Sequence, residues 1–114
     1  MQASLDRYGD RFLSRVFTQQ EQQYCLSKRY PAQSLAARFA AKEAGAKALG
    51  TGISHGVGWQ DLEVRRQPGK APQLSLSGRA RDLAEKMGVV HISLSLAHTD
   101  AQATAIVIME SSLG

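Results

Sequence analysis

The chain has 114 residues, 43% of them hydrophobic and 21% charged, with a formal net charge of +4. These values suit one globular domain with a modest core and exclude a disordered tail. No apolar run approaches the ~18 residues that span a membrane and no signal-like leader opens the chain, so a bacterial-type cytosol without a membrane partner is the expectation.

Residues 2–16 read as a helix. Leu5, Tyr8, Phe12 and Val16 form an apolar stripe at three- and four-residue spacing, while Arg7, Arg11 and Arg15 repeat every four residues on another face. That basic face is either solvated and balanced by Asp6 and Asp10, or a docking ridge for an acidic helix. Thr18-Gln19-Gln20-Glu21 is a capping box that starts a second helix, ending near Ser27. Lys28-Arg29-Tyr30-Pro31 breaks it, because Pro31 disfavours the helical state of the residue before it.

A third helix, rich in alanine, runs from about Ala32 or Ser34 to Leu49, and Gly50 ends it. Arg38 and Lys42 are neighbours on one strip of this helix, and Phe39, Glu43 and Lys47 line the adjacent strip. Glu followed by Lys at four residues is a common surface pair, contributing only about 0.2–0.5 kcal/mol. An aromatic one turn before Glu43, small residues around it and the turn Gly50-Thr51-Gly52 after it also suit close approach of a ligand or a second chain.

Residues 51–58 are a glycine-rich loop, with His55 read as a solvent residue and not a metal ligand. Trp59 to Arg66 alternates as a half-buried strand, Gln67 to Pro72 turns the chain, and Gln73 to Ser77 alternates again. Arg79 to Met87 is a short helix closed by Gly88. Val89 to Leu96 is a strand with Val90, Ile92, Leu94 and Leu96 on one face, Ala97 to Asp100 turns it, and Thr104 to Met109 is so apolar that it reads as the most buried strand. Three early helices, four late strands and one short helix between them predict an α+β domain with a largely antiparallel sheet, spanning residues 1–114. Cys25 cannot form an internal disulfide, has no metal-site partner, and reads as core filler.

The run Phe39-Ala40-Ala41-Lys42-Glu43-Ala44, with Lys47 and Gly50-Thr51-Gly52-Ile53, closely resembles the signature of holo-[acyl-carrier-protein] synthases, the short type of 4'-phosphopantetheinyl transferase. Arg11-Phe12, Phe17-Thr18, the capped helix at Glu21, the stretch Trp59 to Val64 and the hairpin around Ser95 and His98 extend the resemblance over nearly the whole chain. It implies transfer of the 4'-phosphopantetheine arm of coenzyme A to a serine of apo acyl carrier protein, with Mg²⁺, in fatty acid biosynthesis. Glu43 is then a Mg²⁺ ligand, and Lys47 reaches the same phosphates. Arg38 and Lys42 are matched to other phosphates of the coenzyme; Gly50, Thr51 and Gly52, Pro72 and His98 also fall at positions matched to coenzyme binding. Arg7, Arg11 and Arg15 lie where the family grips the acidic carrier protein, and members are homotrimers with coenzyme sites between subunits.

Two departures from the family pattern stand out. The family's Gly-Lys-Pro turn is here Gly69-Lys70-Ala71-Pro72. The family also opens with a strand Gly-x-Asp-Ile or Gly-x-Asp-Leu, whose Asp is the second Mg²⁺ ligand, whereas Met1 to Leu5 begin inside the first helix of the pattern, about fifteen residues on. A start assigned too late competes with a natural short form as the explanation, and the first is favoured. A chain without that strand is expected to bind Mg²⁺ more weakly and to leave a sheet edge uncovered. The transferase is therefore set against a truncated form that only binds acidic carrier protein. A basic nucleic-acid-binding domain is the third reading; it rests on charge alone, without stacking aromatics on a basic strand or a recognition helix, so no nucleic acid is expected.

Overall fold

The computed structural model describes residues 2–99 and 101–112, with side chains from residue 9 onward. The chain forms helices α1 (Gln2–Val16), α2 (Gln19–Leu26) and α3 (Pro31–Ala48), a 3₁₀ turn at Trp59–Asp61, strands β1 (Leu62–Arg65) and β2 (Gln73–Leu76), helix α4 (Gly78–Lys86), and strands β3 (Val89–His98) and β4 (Ala103–Ser111). The expected α+β order holds. Both strand pairs are antiparallel, with Leu62 opposite Leu76 in the first and Leu94 opposite Val107 in the second. The four strands form two separate two-stranded sheets among the described residues, where one sheet was expected.

Local chemistry accounts for most boundaries. Thr18 Oγ1 accepts from the Glu21 amide at 3.2 Å, and Glu21 Oε1 accepts from the Thr18 amide at 3.0 Å, which completes the capping box of α2. Pro31 stands at the start of α3, where its missing N–H costs no helical bond. Gly50 ends that helix at φ 85°, a conformation open to glycine at little cost. The first helix departs from its reading: Gly9 adopts φ 50°, ψ −128°, a non-helical state that breaks α1 between Arg7 and Arg11. Leu5, Tyr8 and the Arg7 side chain lie outside the described side chains.

Helix α3 lies against both sheets. Its Ala41 and Ala46, with the C-capping Leu49, pack with Leu62 and Val64 of β1, Leu74 of β2 and Ala80 and Ala84 of α4, while Ile92, Leu94, Leu96, Ala105, Val107 and Met109 close the other side. A second cluster joins Leu13, Val16 and Phe17 to Cys25 and Leu35. At Gly45 the helix lies close on the sheet: a Cβ there would stand 2.7 Å from Leu62 Cδ2 and 2.8 Å from Leu74 Cδ2.

Two strand readings are corrected. β4 is not the most buried strand; it alternates, with Ala105, Val107 and Met109 inward and Ile106 and Ile108 exposed at 63% and 55%. Nearly continuous hydrophobicity hid the period of two, because both faces carry apolar side chains. Val90 does not share the inner face with Ile92, Leu94 and Leu96, because the pairing slips between Val89 and His91 and turns Val90 outward, 68% exposed.

Candidate active site

The two strips of α3 meet opposite fates. Arg38 and Lys42 face inward, 4% and 0% exposed, whereas Glu43 and Lys47, turned about 100° and 140° from Lys42, are exposed. Glu43 and Lys47 form no ion pair with each other or with any other described residue, so a carboxylate and an ammonium stand unpaired on one helix face.

Lys42 is not on that face. Its Nζ lies 2.6 Å from Glu21 Oε1 and 3.0 Å from the Trp59 carbonyl, and it donates a third bond to the Leu62 carbonyl. The expectation that Lys42 holds a coenzyme phosphate is therefore corrected: an ammonium has three donors, and all three are occupied inside the protein. Burial pushes Lys42 below the usual lysine range, and the neighbouring Glu21 carboxylate pulls in the other direction.

A cleft of about 810 Å³ opens at the N-terminal half of α3. It is lined by Lys28, Arg29, Arg38, Arg66 and His98 together with Tyr24, Tyr30 and the Gln67–Gly69 turn, and by no carboxylate among the described residues. Arg38 forms its wall. The guanidinium stacks 4.1 Å from the Tyr24 ring centre, Nη1 donates to Ser34 Oγ at 3.3 Å, and Nε is buried without a partner. A buried donor without a partner costs about 1–3 kcal/mol, which a bound anion would relieve. Ser34 in turn donates to Cys25 Sγ at 3.4 Å, and burial pushes that thiol up, in keeping with core filler.

Of the residues matched to the coenzyme, Arg38 and His98 come together in this cleft although 60 positions apart in sequence. Pro72 does not line it; Pro68 and Gly69, in the earlier part of the same turn, do. Gly50, Thr51 and Gly52 are elsewhere, at the far end of α3. Their amides donate to the Lys47 and Ala46 carbonyls, and the Thr51 hydroxyl donates to the Gly52 carbonyl at 2.7 Å. This turn closes the helix and leaves no amide for an anion. Tyr24, Lys28, Arg29 and Arg66 were missed as site residues. The signal was present in the basic runs Lys28-Arg29 and Arg65-Arg66, but each reads equally as a solvated turn.

Arg11 and Arg15 are exposed on the second half of α1. Between this helix and the Glu43 strip runs an aromatic stack: Phe12 lies 6.4 Å from Phe39, and Phe39 lies 4.8 Å from Trp59, ring centre to ring centre. Gln60 ties the 3₁₀ turn to the same helix by donating to the Ser14 and Phe17 carbonyls. Among the described residues no three His, Cys, Asp or Glu side chains converge on a metal site. A lone exposed carboxylate still fits Mg²⁺, which prefers hard oxygens, keeps several waters and takes one or two carboxylates beside substrate phosphates.

Residues 1–107 match the family model of the 4'-phosphopantetheinyl transferase superfamily. The chain is 50% identical over 111 residues to a holo-[acyl-carrier-protein] synthase of Solibacter usitatus, covering 97% of this chain and 89% of that protein. It is 48% identical over 107 residues to one of Koribacter versatilis, covering 94% and 86%. A Helicobacter pylori holo-[acyl-carrier-protein] synthase solved in complex with coenzyme A superposes with a TM-score of 0.82 at 28% identity, covering 96% of this chain and 90% of that one. With the signature helix, the fold and these relatives in agreement, the chain belongs to the holo-[acyl-carrier-protein] synthases of the 4'-phosphopantetheinyl transferase superfamily.

Proposed function

We propose that this protein transfers the 4'-phosphopantetheine group of coenzyme A to a serine hydroxyl of apo acyl carrier protein, in fatty acid biosynthesis and in the cytoplasm. The observation that carries this reading is a basic cleft at the N-terminal half of α3, lined by no carboxylate among the described residues, with an outward-facing carboxylate and ammonium further along the same helix. Coenzyme A is polyanionic, and Lys28, Arg29, Arg38, Arg66 and His98 supply complementary donors, with Arg38 Nε still without a partner. Tyr24 and Tyr30 add ring faces to the same wall.

The reaction forms a bond from the serine oxygen to the pantetheine-side phosphorus and breaks the bond from that phosphorus to the bridging oxygen. Adenosine 3',5'-bisphosphate leaves with the electron pair, and the serine proton is lost. Such a transfer needs positioning and fixed positive charge more than covalent help from the protein. Arg38 and the other cleft cations anchor the leaving half. Five residues on, about 7.5 Å along the helix axis, stands Glu43, with Lys47 one turn further. Lys47 stabilises the charge that grows on the phosphates as the bond breaks. Glu43 is the residue that would hold Mg²⁺. When bound, that ion neutralises the diphosphate and makes the bridging oxygen a better leaving group.

Exposed Arg11 and Arg15 and the net charge of +4 support an acidic carrier protein as acceptor, and the position of Arg7 in the same repeat adds to them. The outward face of the β3–β4 hairpin, with Ile106 and Ile108 uncovered, supports a homotrimer. No helix among the described residues is long and apolar enough to cross a membrane.

The decisive experiment is incubation with coenzyme A, Mg²⁺ and apo carrier protein, followed by intact-mass measurement of the carrier. A gain of one phosphopantetheinyl group is expected. No gain, under conditions where another holo-[acyl-carrier-protein] synthase works, would leave carrier-protein binding without transfer.

A further inference from the structure

The buried Glu21–Lys42 pair joins four pieces of chain. Glu21 is 1% and Lys42 0% exposed. Both carboxylate oxygens are used: Oε1 accepts from Lys42 and from the Thr18 amide, and Oε2 accepts from the Val64 amide at 2.8 Å. Lys42 in turn reaches the Trp59 and Leu62 carbonyls. One cluster thus fastens the cap of α2, the middle of α3, the 3₁₀ turn and β1. Stability is a weak reason to keep charges there, because a well-packed apolar pair of similar volume often serves as well or better.

Consecutive residues in a helix are turned by about 100°, so fixing Lys42 inward also fixes the direction of Glu43 outward. The same lysine holds the carbonyl of Trp59, whose ring stacks on Phe39, one turn before Glu43 on its strip. The rotation and the axial position of the Glu43–Lys47 strip, relative to the aromatic wall beside it, therefore meet at a single ammonium. The geometry points to Lys42 as a positioning residue: its three internal hydrogen bonds set the orientation from which Glu43 and Lys47 act. The kinetic consequence rests on the transfer reading above; the positional one does not.

The test uses Lys42→Met and the double variant Glu21→Gln with Lys42→Met, the second removing the charge that the first leaves buried and unpaired. Melting temperature, kcat, KM for coenzyme A and acrylamide quenching of Trp59, the only tryptophan, are measured on each at a temperature where it is folded. The double variant is expected to recover melting temperature lost in the single one. In both, kcat should stay about 10²-fold below wild type, the scale of an ångström-sized misplacement, with KM for coenzyme A nearly unchanged and Trp59 more open to quencher. Recovery of kcat together with melting temperature would reduce the pair to a stability element and overturn the inference. A raised KM at unchanged kcat would overturn it in favour of a phosphate ligand, as would Trp59 quenching identical to wild type in favour of no positional role. Loss of the fold in both variants would make the pair a condition of folding and overturn a separable role. A wild-type chain that transfers nothing sinks the transfer reading instead, while Trp59 quenching still decides whether Lys42 positions the strip.

Discussion

Lys42 and Glu43 are adjacent in sequence and opposite in circumstance: one is sealed among internal acceptors, and the other faces solvent without a partner among the described residues. Charge alone does not assign a role, because the cost of burying an ion is met at Lys42 by a carboxylate and two carbonyls, while Glu43 has no such cost to meet. A carboxylate left unpaired on a rigid helix is available to a cation. Glu43→Ala should therefore lower the proposed Mg²⁺-dependent transfer on the order of 10²-fold or more. The same change should alter stability by no more than about 0.5 kcal/mol, as for an exposed side chain away from packing. Turnover assays paired with thermal melts check this, and retained turnover would remove Glu43 from the metal role.

At the scale of elements, α3 is placed by what it lacks as much as by what it carries. Gly45 lets the helix seat on Leu62 and Leu74, and this seating brings Arg38 to the cleft while Glu43 stays outside. Gly45→Ala gains up to about 1 kcal/mol of helix propensity but drives a methyl into both leucines, an overpacking of about 1–3 kcal/mol. A net loss of stability in denaturant unfolding is the expected outcome, and a more stable variant would show that the leucines give way. β1 offers a pH-dependent test. Partial burial of Glu63 favours its neutral form, but hydrogen bonds from Thr18 and Arg65, the latter at 2.5 Å, and the Arg65 charge outweigh this and hold the carboxyl below its usual range. A carboxyl depressed in the folded state adds stability above its ordinary pKa of about 4.3, and that stability is lost as pH falls through the folded value. The melting-temperature gap between wild type and Glu63→Gln should thus be present at neutral pH and close on acidification below about pH 4; a gap unchanged with pH would rule out this linkage. The gap should be small, because Arg65 is 62% exposed and screened.

At the scale of the whole molecule, the β3–β4 hairpin uses one face for the core and leaves Ile106 and Ile108 on the other, with Ser95 and Ser93 opposite them in register. Ile106→Asp would bury a charge in the proposed trimer contact, and light scattering coupled to gel filtration should then show a single chain in place of three. An unchanged trimer would place the contact elsewhere. The order of helices and strands, the capping box at Thr18, the stop at Gly50 and the signature strip were legible in the sequence, because caps, breakers and residue spacing act over a few neighbouring positions. The angle between Arg38 and Glu43 was equally legible, since helix geometry sets it. Which side of that angle would be covered was not. That depended on Glu21 from another helix and on carbonyls at 59 and 62 arriving at Lys42, and on Tyr24, Arg66 and His98 converging around Arg38. Burial is a property of what packs against a surface, so only the tertiary structure separated the lysine that holds the helix in place from the carboxylate beside it that is free to act.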